Sequence, residues 1–563
     1  MGMLGKRSIM GAAGLLAVGG GIYLLKSPAL RKIAKLFARA TAHKLRPVLR
    51  PIVPGARAII FAFDGVGADT LYNAIRDGHC PHIQNLLGGD GGGGVFEHGY
   101  AIPDAMSILP STTMAGWSSI FTGQPPAFTG VTGNEWFVRE EMRLYAPAPV
   151  SVTDIADTAR MLADGLVGNA IRVPTLYELL DRRAHVALAP VHRGADLFTI
   201  TDASILADLF GAVAKGTLGN TTIKQEVYQE MDENSVEALL EAIAKYGVPN
   251  LQVAYFPGID LYSHIAEAPL DIQQSYLEKV LDPAIGRVLE VYQRAGVLDQ
   301  TYVLLVADHG HTPVLNDDHH SLYTTGDHEP PALLEQLGFR VRPFVLEPEP
   351  SENDYNAALA YQGAMAYIYL ADRTAILPTG VYDWRRAPRF EEDVMAVVRA
   401  FDRVNRTGEP IGQLKGVLDL IFARVPRPVG EDALPFEIFD GERLVAIGDY
   451  LKRNPRPDLI RLESRMRGLS AGPYGHRAGD VLLLCRSGLE LPIEERFYFS
   501  GLYRSWHGSP TRQDSHVPII VARQNSSGPE LARHTQEIVG AEPSQLDIVP
   551  LVLHLLRTPE KRA

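Results

Sequence analysis

The stretch Ala58-Ile-Ile-Phe-Ala-Phe63, followed by Asp64-Gly65, predicts a buried strand that ends in a polar turn. A short apolar run bounded by a turn is typical of a parallel strand that is covered on both faces. Similar apolar runs recur at 185–189, 251–256, 302–307, 481–485 and 517–521, and helical patterns such as 234–246 and 272–295 lie between them. Strands that alternate with helices predict an α/β fold with a mostly parallel sheet and helices on both faces.

The alternating pattern also suggests how the chain is divided. Pro47, Pro51 and Pro54 form a linker after a basic leader, so residues 1–56 are separated from the body. Residues 57–328 are predicted to form the first part of the core and residues 476–563 the second part. The stretch 329–475 is rich in Pro and Arg and interrupts the pattern, which indicates an inserted cap subdomain.

Composition excludes several classes of protein. The 563 residues are 46 % apolar and 21 % charged, as in ordinary globular proteins. The net charge of −12 hides an acidic body, because residues 1–57 contain eleven Lys and Arg and no acidic residue. An acidic body argues against a general nucleic-acid-binding protein. Cys80 and Cys485 are too few for a cysteine-rich zinc site, and two buried free thiols are favoured over one disulfide bridge.

The leader resembles a membrane-directing segment. Residues 8–25 are uncharged, and residues 29–45 have the pattern of a basic amphipathic helix. An uncleaved membrane anchor is favoured, with a cleaved export signal and an organelle transit peptide as the alternatives. The basic residues after the uncharged run favour a cytoplasmic body under the positive-inside rule.

Polar side chains follow the predicted strands, where a parallel sheet binds its ligands. Three carboxylates and three imidazoles occur at these places: Asp64, Asp260, His264, Asp308, His309 and His507. Zinc binds mixed nitrogen and oxygen ligands, whereas magnesium and calcium prefer oxygen alone. Any one of these residues alone could be a capping aspartate or an ordinary buried histidine, but the whole set predicts a transition-metal site.

The segment Leu109-Pro-Ser-Thr-Thr-Met-Ala-Gly-Trp-Ser118 supplies hydroxyl groups. A threonine hydroxyl is a poor nucleophile at neutral pH unless a metal ion helps to remove its proton. Alone, the segment predicts a loop and a helix start that Ser111 or Thr112 caps.

Taken together, these residues resemble the alkaline phosphatase superfamily, and within it the type I phosphodiesterase/nucleotide pyrophosphatase family. The resemblance covers 57–328 and 478–556 and implies an alkaline-phosphatase-like fold with two zinc ions, although other divalent transition metals are possible. It implies one zinc site made of Asp64, Thr113, Asp308 and His309 and a second made of Asp260, His264 and His507.

The resemblance also implies the roles of the remaining residues. Thr113, the third residue after Pro110, stands at the position of the nucleophile. Asn134 and the Met114 amide would bind a phosphoryl oxygen, although Asn134 could instead be a turn residue after Gly133. The implied activity is hydrolysis of phosphodiesters through a phosphothreonine intermediate.

Local departures from the family pattern bear on the substrate. Met114 replaces the aromatic residue of nucleotide-cleaving members, and Arg193 lacks the Lys partner found in monoesterases. A diester is therefore the expected substrate, and a phosphomonoester or a phosphonate is the alternative. Two alternatives belong to other functional classes. One is a catalytically silent, membrane-tethered binding protein, and the other is a transferase that passes a lipid headgroup to an acceptor alcohol. The resemblance favours export of the body to the periplasm or cell surface. The basic residues of the leader favour the cytoplasm instead.

Two further features receive structural interpretations. Asp317-Asp-His-His320, with Asp327 and His328, could form a third metal site, but an acidic solvated loop is favoured. His311 is given no role.

Overall fold

The structure is a computed structural model that describes residues 48–91, 94–201 and 225–557. The predicted membrane anchor and the amphipathic segment lie outside these residues. In the part of the chain that is described, no helix combines the length and the apolar character that crossing a bilayer requires. Membrane attachment therefore stays a prediction.

The strands of the described residues are numbered in chain order. They are β1 (Arg57–Phe63), β2 (Gly99–Ala101), β3 (Trp136–Val138), β4 (Arg143–Tyr145), β5 (Ala184–Ala187), β6 (Leu197–Thr199), β7 (Leu251–Phe256), β8 (Thr301–Ala307), β9 (Thr312–Pro313), β10 (Ser321–Leu322), β11 (Ala357–Tyr361), β12 (Met365–Leu370), β13 (Leu418–Ala423), β14 (Glu437–Phe439), β15 (Leu444–Val445), β16 (Val481–Cys485), β17 (Tyr498–Phe499), β18 (Ser505–Trp506) and β19 (Ile519–Ala522).

The α-helices of the same residues are numbered likewise. They are α1 (Ala68–Arg76), α2 (Pro81–Leu87), α3 (Thr113–Ile120), α4 (Pro126–Thr129), α5 (Ala156–Ala163), α6 (Leu166–Ala170), α7 (Leu176–Leu179), α8 (Gln225–Tyr246), α9 (Gly258–Ser263), α10 (Pro269–Tyr276), α11 (Asp282–Arg294), α12 (Pro330–Gln336), α13 (Ala396–Thr407), α14 (Ile447–Arg453), α15 (Leu462–Ser470), α16 (Arg512–Ser515), α17 (Gly528–Gln536) and α18 (Ile548–Arg557).

A seven-stranded sheet forms the centre of the fold, with the strand order β2-β19-β8-β1-β7-β5-β6. The five strands from β8 to β6 are parallel to their neighbours. Strand β19 pairs antiparallel with β8, and β2 pairs antiparallel with β19. The predicted α/β class with a mostly parallel sheet is confirmed, and the predicted strand at 517–521 is the antiparallel β19.

Strand β1 shows why helices cover both faces of this sheet. All seven of its residues are buried. Ile60 and Ala62 face one core, which α3 and α18 help to form. Ile59 and Phe61 face the opposite core, which α1, α8 and α11 help to form. A strand with two apolar faces is stable only when helices remove both faces from water.

A second sheet has six strands in the order β11-β12-β16-β13-β14-β15, all antiparallel to their neighbours. The prediction that 481–485 belongs to the parallel sheet is wrong, because this stretch is β16 in the interior of the second sheet. Leu483 and Leu482 of β16 face two different cores, so the strand has no polar face that would distinguish it from a parallel strand. The other five strands come from the predicted insertion 329–475.

Two other predictions can be compared with the structure. Cys80 and Cys485 are both buried free thiols, as expected. The single helix predicted at 272–295 is instead α10 and α11, separated by a π-helical turn at Leu277–Leu281. The apolar pattern continues through this turn because Leu277 and Leu281 are also buried.

Candidate metal centre and adjoining pocket

Three strands bring the predicted carboxylates to one place. Phe63 of β1 pairs with Phe256 of β7 and with Ala307 of β8, so these strands end at the same level. Asp64 and Asp308, the next residues after two of these ends, therefore leave the sheet side by side. The third carboxylate belongs to Asp260, which lies in α9 directly after β7. All three are buried.

The first group of candidate ligands consists of Asp64, Asp308 and His309, whose ligand atoms lie within 4.8 Å of one another. His309 Nε2 is 3.4 Å from Asp64 Oδ1 and also 3.4 Å from Asp308 Oδ2. Thr113 Oγ1 lies 3.2 Å from the same nitrogen. The structure thus brings together the four residues that the sequence assigns to one metal site.

The second group consists of Asp260, His264 and His507. His264 follows Asp260 by one helical turn, and its Nε2 is 3.5 Å from Asp260 Oδ2. His507, from the loop after β18, has its Nε2 3.9 Å from Asp260 Oδ1. The two groups adjoin, since His309 Nε2 is 4.0 Å from Asp260 Oδ1. All predicted metal ligands therefore lie in one cluster.

Backbone carbonyls orient the three imidazoles. Nδ1 of His264 is 2.8 Å from the Ser505 carbonyl oxygen, and Nδ1 of His507 is 2.9 Å from that of Ser111. Nδ1 of His309 is 3.0 Å from the Gly310 carbonyl. A carbonyl oxygen accepts a proton at Nδ1 and leaves Nε2 with its lone pair, as in metal-ligating histidines.

The electrostatics of the cluster favour a bound cation. Burial and the charge of Asp260 raise the pKa of Asp64, and burial and the charge of Asp64 raise the pKa of Asp308 well above its usual value. Burial opposes protonation of His309, but the nearby carboxylates of Asp308, Asp64 and Asp260 outweigh it and raise the pKa of His309 to about 10. Buried carboxylates this close together are stable as anions only when positive charge compensates them.

Unpartnered oxygens are consistent with metal ligation. Asp64 Oδ2 accepts a hydrogen bond from the Tyr255 hydroxyl, and Asp308 Oδ1 accepts one from the Gly65 N–H at 3.1 Å. The other oxygens, Asp64 Oδ1 and Asp308 Oδ2, are buried without a hydrogen-bond partner. Each carboxylate is therefore fixed by one oxygen and offers the other to a cation, so the residues fit a divalent metal. The mixed N/O ligands agree with zinc.

His311 is a member of the cluster that the sequence analysis missed. It is buried, and its Nε2 lies 2.7 Å from Asp260 Oδ1. Burial lowers the pKa of His311 to about 4, so the ring is neutral and its Nε2–H donates to the carboxylate. Asp260, His309 and His311 also form a third group with ligand geometry. The only sequence signal was its position two residues after His309.

Thr113 is the first residue of α3, and Thr112 stands at the N-cap position, where its side chain makes no capping hydrogen bond. Thr113 lines a pocket beside the metal ligands, whereas Thr112 is buried and is not among the residues that line it. Gly116, one turn further along α3, lies against Asp308, and a Cβ atom there would be 2.8 Å from Asp308 Cβ. The helix can approach the cluster only because this residue is glycine.

Asn134 lies on the same pocket, and hydrogen bonds fix its orientation. Its Oδ1 accepts a bond from the Met114 N–H at 3.0 Å, and its own backbone N–H donates to Gln362 Oε1 at 2.7 Å. With Oδ1 occupied, the Nδ2 amide is the group that can donate to a bound anion. The Met114 N–H, expected to bind an oxyanion itself, holds Asn134 in this structure.

The pocket beside the metal ligands has a volume of about 200 Å³ and mostly apolar walls. The walls include Met114, Pro147, Ala148, Pro149, Val150, Ile155, Met161, Leu162, Leu188, Met231 and Leu261. Among the described residues, no Lys or Arg lines it, and no residue of the 329–475 insertion does. The segment 147–162 supplies most of the apolar wall.

Arg193 and the Asp317–His320 stretch, which the sequence also singles out, make contacts with other residues. The Arg193 guanidinium donates to the carbonyls of Gly168, Ile171 and Val173, away from the pocket. His320 Nδ1 is 2.8 Å from Asp317 Oδ1. Among the described residues, no third metal site includes the Asp317–His320 stretch.

Comparison with known proteins gives a family match and similar folds. The sequence model of the type I phosphodiesterase/nucleotide pyrophosphatase family matches residues 58–337. No curated protein sequence matches the chain.

Three solved structures illustrate the similar folds. A structure of murine ectonucleotide pyrophosphatase/phosphodiesterase 5, inactive and in complex with AMP, has a TM-score of 0.48 and 11 % identity over 90 % of this chain and 96 % of that one. The human counterpart has a TM-score of 0.47 and 11 % identity, over 89 % of this chain and 95 % of that one. Phosphonoacetate hydrolase from Sinorhizobium meliloti, with phosphonoformate, has a TM-score of 0.46 and 16 % identity, over 91 % of this chain and 100 % of that one.

Proposed function

Because the chain belongs to the type I phosphodiesterase/nucleotide pyrophosphatase family, we propose that it cleaves phosphodiesters through a phosphothreonine intermediate on Thr113, with two zinc ions as cofactors. It is a phosphoric ester hydrolase of the alkaline phosphatase superfamily, in a family that depends on metal. Asp64, Thr113, Asp308 and His309 would hold one ion, and Asp260, His264 and His507 the other. A silent binding protein is disfavoured because every expected ligand is present.

One observation carries this proposal: the Thr113 hydroxyl adjoins His309 of the first ligand group, and Thr113 lines the pocket together with members of both groups. Its Oγ1 is 3.2 Å from His309 Nε2, and Thr113, Asp64, Asp260 and His264 all line the pocket. When bound, the zinc ions would act as Lewis acids that favour the threonine alkoxide and neutralise charge on the leaving oxygen.

The residues of the chain then have the following roles. Thr113 Oγ1 gives its proton to water and forms a bond to phosphorus, while the bond from phosphorus to the leaving oxygen breaks and that oxygen takes up a proton from water. Asn134 Nδ2 donates a hydrogen bond to a non-bridging oxygen, whose negative charge grows in the transition state. Water then attacks phosphorus and the bond from phosphorus to Thr113 Oγ1 breaks, which releases a phosphomonoester and returns a proton to the Thr113 hydroxyl.

The walls of the pocket favour a diester. A monoester carries two negative charges at neutral pH, and monoesterases bind that extra charge with cationic side chains. No Lys or Arg of the described residues lines this pocket. A diester carries one negative charge, and its second substituent can contact the apolar side chains of segment 147–162.

A substrate panel tests the proposal. The purified chain should hydrolyse bis(p-nitrophenyl) phosphate faster than p-nitrophenyl phosphate or a p-nitrophenyl phosphonate, and elemental analysis should find two zinc ions per chain. Dominant monoester or phosphonate hydrolysis would reject the diester assignment. A chain that contains no transition metal and has no activity when zinc is added would reject the metal mechanism. Transfer of the phosphoryl group to an added alcohol instead of water would indicate the transferase alternative.

A further inference from the structure

A second cavity, of about 130 Å³, lies apart from the metal centre. It shares no lining residue with the first pocket. A water molecule needs a cavity of only roughly 10–15 Å³ in this measure, so the second cavity has room for a larger ligand. Its most notable lining residues are four arginines: Arg143, Arg160, Arg172 and Arg477.

The cavity lies close to the elements that form the first pocket. Arg477 donates a hydrogen bond from Nη1 to the Gly130 carbonyl at 2.9 Å, at the start of the loop that leads to Asn134. Helix α5 contributes Arg160 to the second cavity and Met161 to the first pocket. The two cavities therefore share α5 as a neighbouring element.

The lining residues are strongly cationic. Glu141 is the one carboxylate among them, and it accepts a hydrogen bond from the Tyr145 hydroxyl at 2.6 Å. Arg172 is exposed and makes no side-chain hydrogen bond or ion pair within the described residues. The cavity wall thus presents four guanidinium groups, and one of them has no anionic partner.

Glu140, Glu141, Asp157 and Asp164 balance the formal charge of the four arginines, but none of these carboxylates is paired with Arg172. Asp157 is 2.7 Å from Arg143 and 3.8 Å from Arg160, so one carboxylate is shared between two guanidinium groups. Asp164 is 3.3 Å from Arg160 Nε, on an exposed face. Each of these contacts uses one edge of a guanidinium group, which has five N–H donors in total.

Arg477 is the buried member of the group. Its side chain is 2 % exposed, and its Nε is buried without a hydrogen-bond partner. Its nearest carboxylate oxygen, Glu140 Oε1, is 3.6 Å from Nη2. Burial and the charge of Arg172 lower the pKa of Arg477 against the opposing charge of Glu140. A buried cation with an unmade hydrogen bond is costly unless an anion binds beside it.

The aromatic side of the cavity fixes the geometry of one arginine. Trp136 and Tyr145 stack with their ring centroids 5.3 Å apart and their planes at 1°. The Arg143 guanidinium also lies over the Tyr145 ring, 4.2 Å from the ring centroid. Stacking holds the guanidinium plane in place before any ligand binds.

We propose that this arginine cavity is a binding site for a small phosphate-bearing anion, distinct from the metal centre. Guanidinium groups match the oxygens of phosphate in paired hydrogen bonds, which is why arginine clusters bind phosphate groups. The site does not depend on the metal ions or on Thr113, so it can be tested separately from the proposed function.

Calorimetric titration of the metal-free full chain with inorganic phosphate tests the site. Removing the metal takes away the cations that would bind phosphate at the metal centre, so the remaining binding reports the arginine cavity. We expect one phosphate per chain. Arg172→Gln and Arg160→Gln should each weaken binding by about three- to tenfold, since each removes one charge-assisted contact at a partly solvated site. Arg406→Gln, which removes an exposed arginine paired with Asp402, is the matched control.

Two outcomes would overturn the proposal. One is the absence of phosphate binding to a metal-free chain whose circular dichroism shows it to be folded. The other is binding that Arg160→Gln and Arg172→Gln leave as strong as Arg406→Gln does. The zinc-loaded chain provides a second measurement, in which the wild type should bind two phosphates and the Arg160→Gln/Arg172→Gln double variant one.

Discussion

His311 Nε2 donates a hydrogen bond to Asp260 Oδ1 at 2.7 Å, so an imidazole outside the predicted ligand set holds a carboxylate within it. The other ring nitrogen is 2.9 Å from Ser505 Oγ, and Ser505 also lies beside His264 through its carbonyl oxygen. Asp260 belongs to one of the two expected metal sites and adjoins the other. The orientation of this carboxylate therefore affects both sites at once.

Replacing His311 by Ala should weaken zinc binding while the fold is retained. Outer-shell partners of metal ligands typically contribute about 10- to 100-fold in affinity, and we expect a loss of this size. Chelator competition, followed by elemental analysis, measures it. His319→Ala removes an exposed histidine and is the control. Unchanged zinc affinity in His311→Ala would mean that Asp260 is held sufficiently by its other contacts.

Replacing Thr113 by Ala should reduce turnover by at least about 10³-fold, because no other hydroxyl takes its place as nucleophile. Zinc content should remain near that of the wild type, since Asp64, Asp308 and His309 still form a complete group. Thr113→Ser keeps the hydroxyl and should retain measurable activity. The measurement is the rate of diester hydrolysis at equal zinc occupancy. Equal activity in the Ala and Ser variants would favour direct attack by water.

The metal ligands were predictable because their positions follow from strand ends. A buried run such as β1 must end where a polar residue begins, and the common level of Phe63, Phe256 and Ala307 then brings Asp64 and Asp308 together. Asp260 and His264 are four residues apart, which places them on one side of a helical turn. These features depend on local patterns that a single sequence contains.

Other features depend on contacts between segments that are distant in the sequence, and no local sequence pattern indicates which segments meet. Strand β16 is as apolar as a parallel strand, and only its pairing with β12 and β13 shows that it belongs to the second sheet. His311 is important because of its contact with Asp260, which is 51 positions away. The same holds for the apolar pocket wall, most of which segment 147–162 supplies.

Replacing Asn134 by Ala should lower kcat by about 10²-fold, the effect of losing one donor to a charge that develops in the transition state. The Met114 N–H would also lose its acceptor, so a second variant is needed. Asn134→Asp keeps Oδ1 for Met114 but replaces the donating amide by a carboxylate, and it should be at least as inactive. Steady-state kinetics at saturating zinc distinguishes the two effects. Normal activity in Asn134→Asp would contradict the role of the amide as donor.

Removing the metal should make stability depend on pH. In the metal-free chain the pKa values of Asp64, Asp308 and His309 are raised. A raised pKa means that the folded chain binds more protons, so this stability is present at low pH and is lost as the pH rises through the folded pKa values. We therefore expect the Tm of the metal-free chain to fall between about pH 6.5, the ordinary pKa of histidine, and about pH 10, the pKa of folded His309.

Zinc should abolish most of this dependence, because a cation then compensates the carboxylates at every pH in that range. The Asp64→Asn/Asp308→Asn variant is the control, and its metal-free Tm should change less with pH than that of the wild type. Thermal denaturation at several pH values, with and without chelator, gives all four curves. A metal-free Tm that rises over this range would contradict the assigned pKa directions.

A cation introduced into the pocket wall should change the preference for diesters. Thr158 lines the pocket on α5, and its Oγ1 is buried without a hydrogen-bond partner, so its replacement breaks no bond. Thr158→Arg would supply the positive charge that a monoester needs and that the described lining residues lack. We expect the ratio of monoester to diester kcat/KM to rise about tenfold, the effect of one charge-assisted hydrogen bond. Thr158→Gln, which adds length without charge, should leave the ratio unchanged. If both variants changed the ratio equally, the shape of the pocket and not its charge would determine the preference.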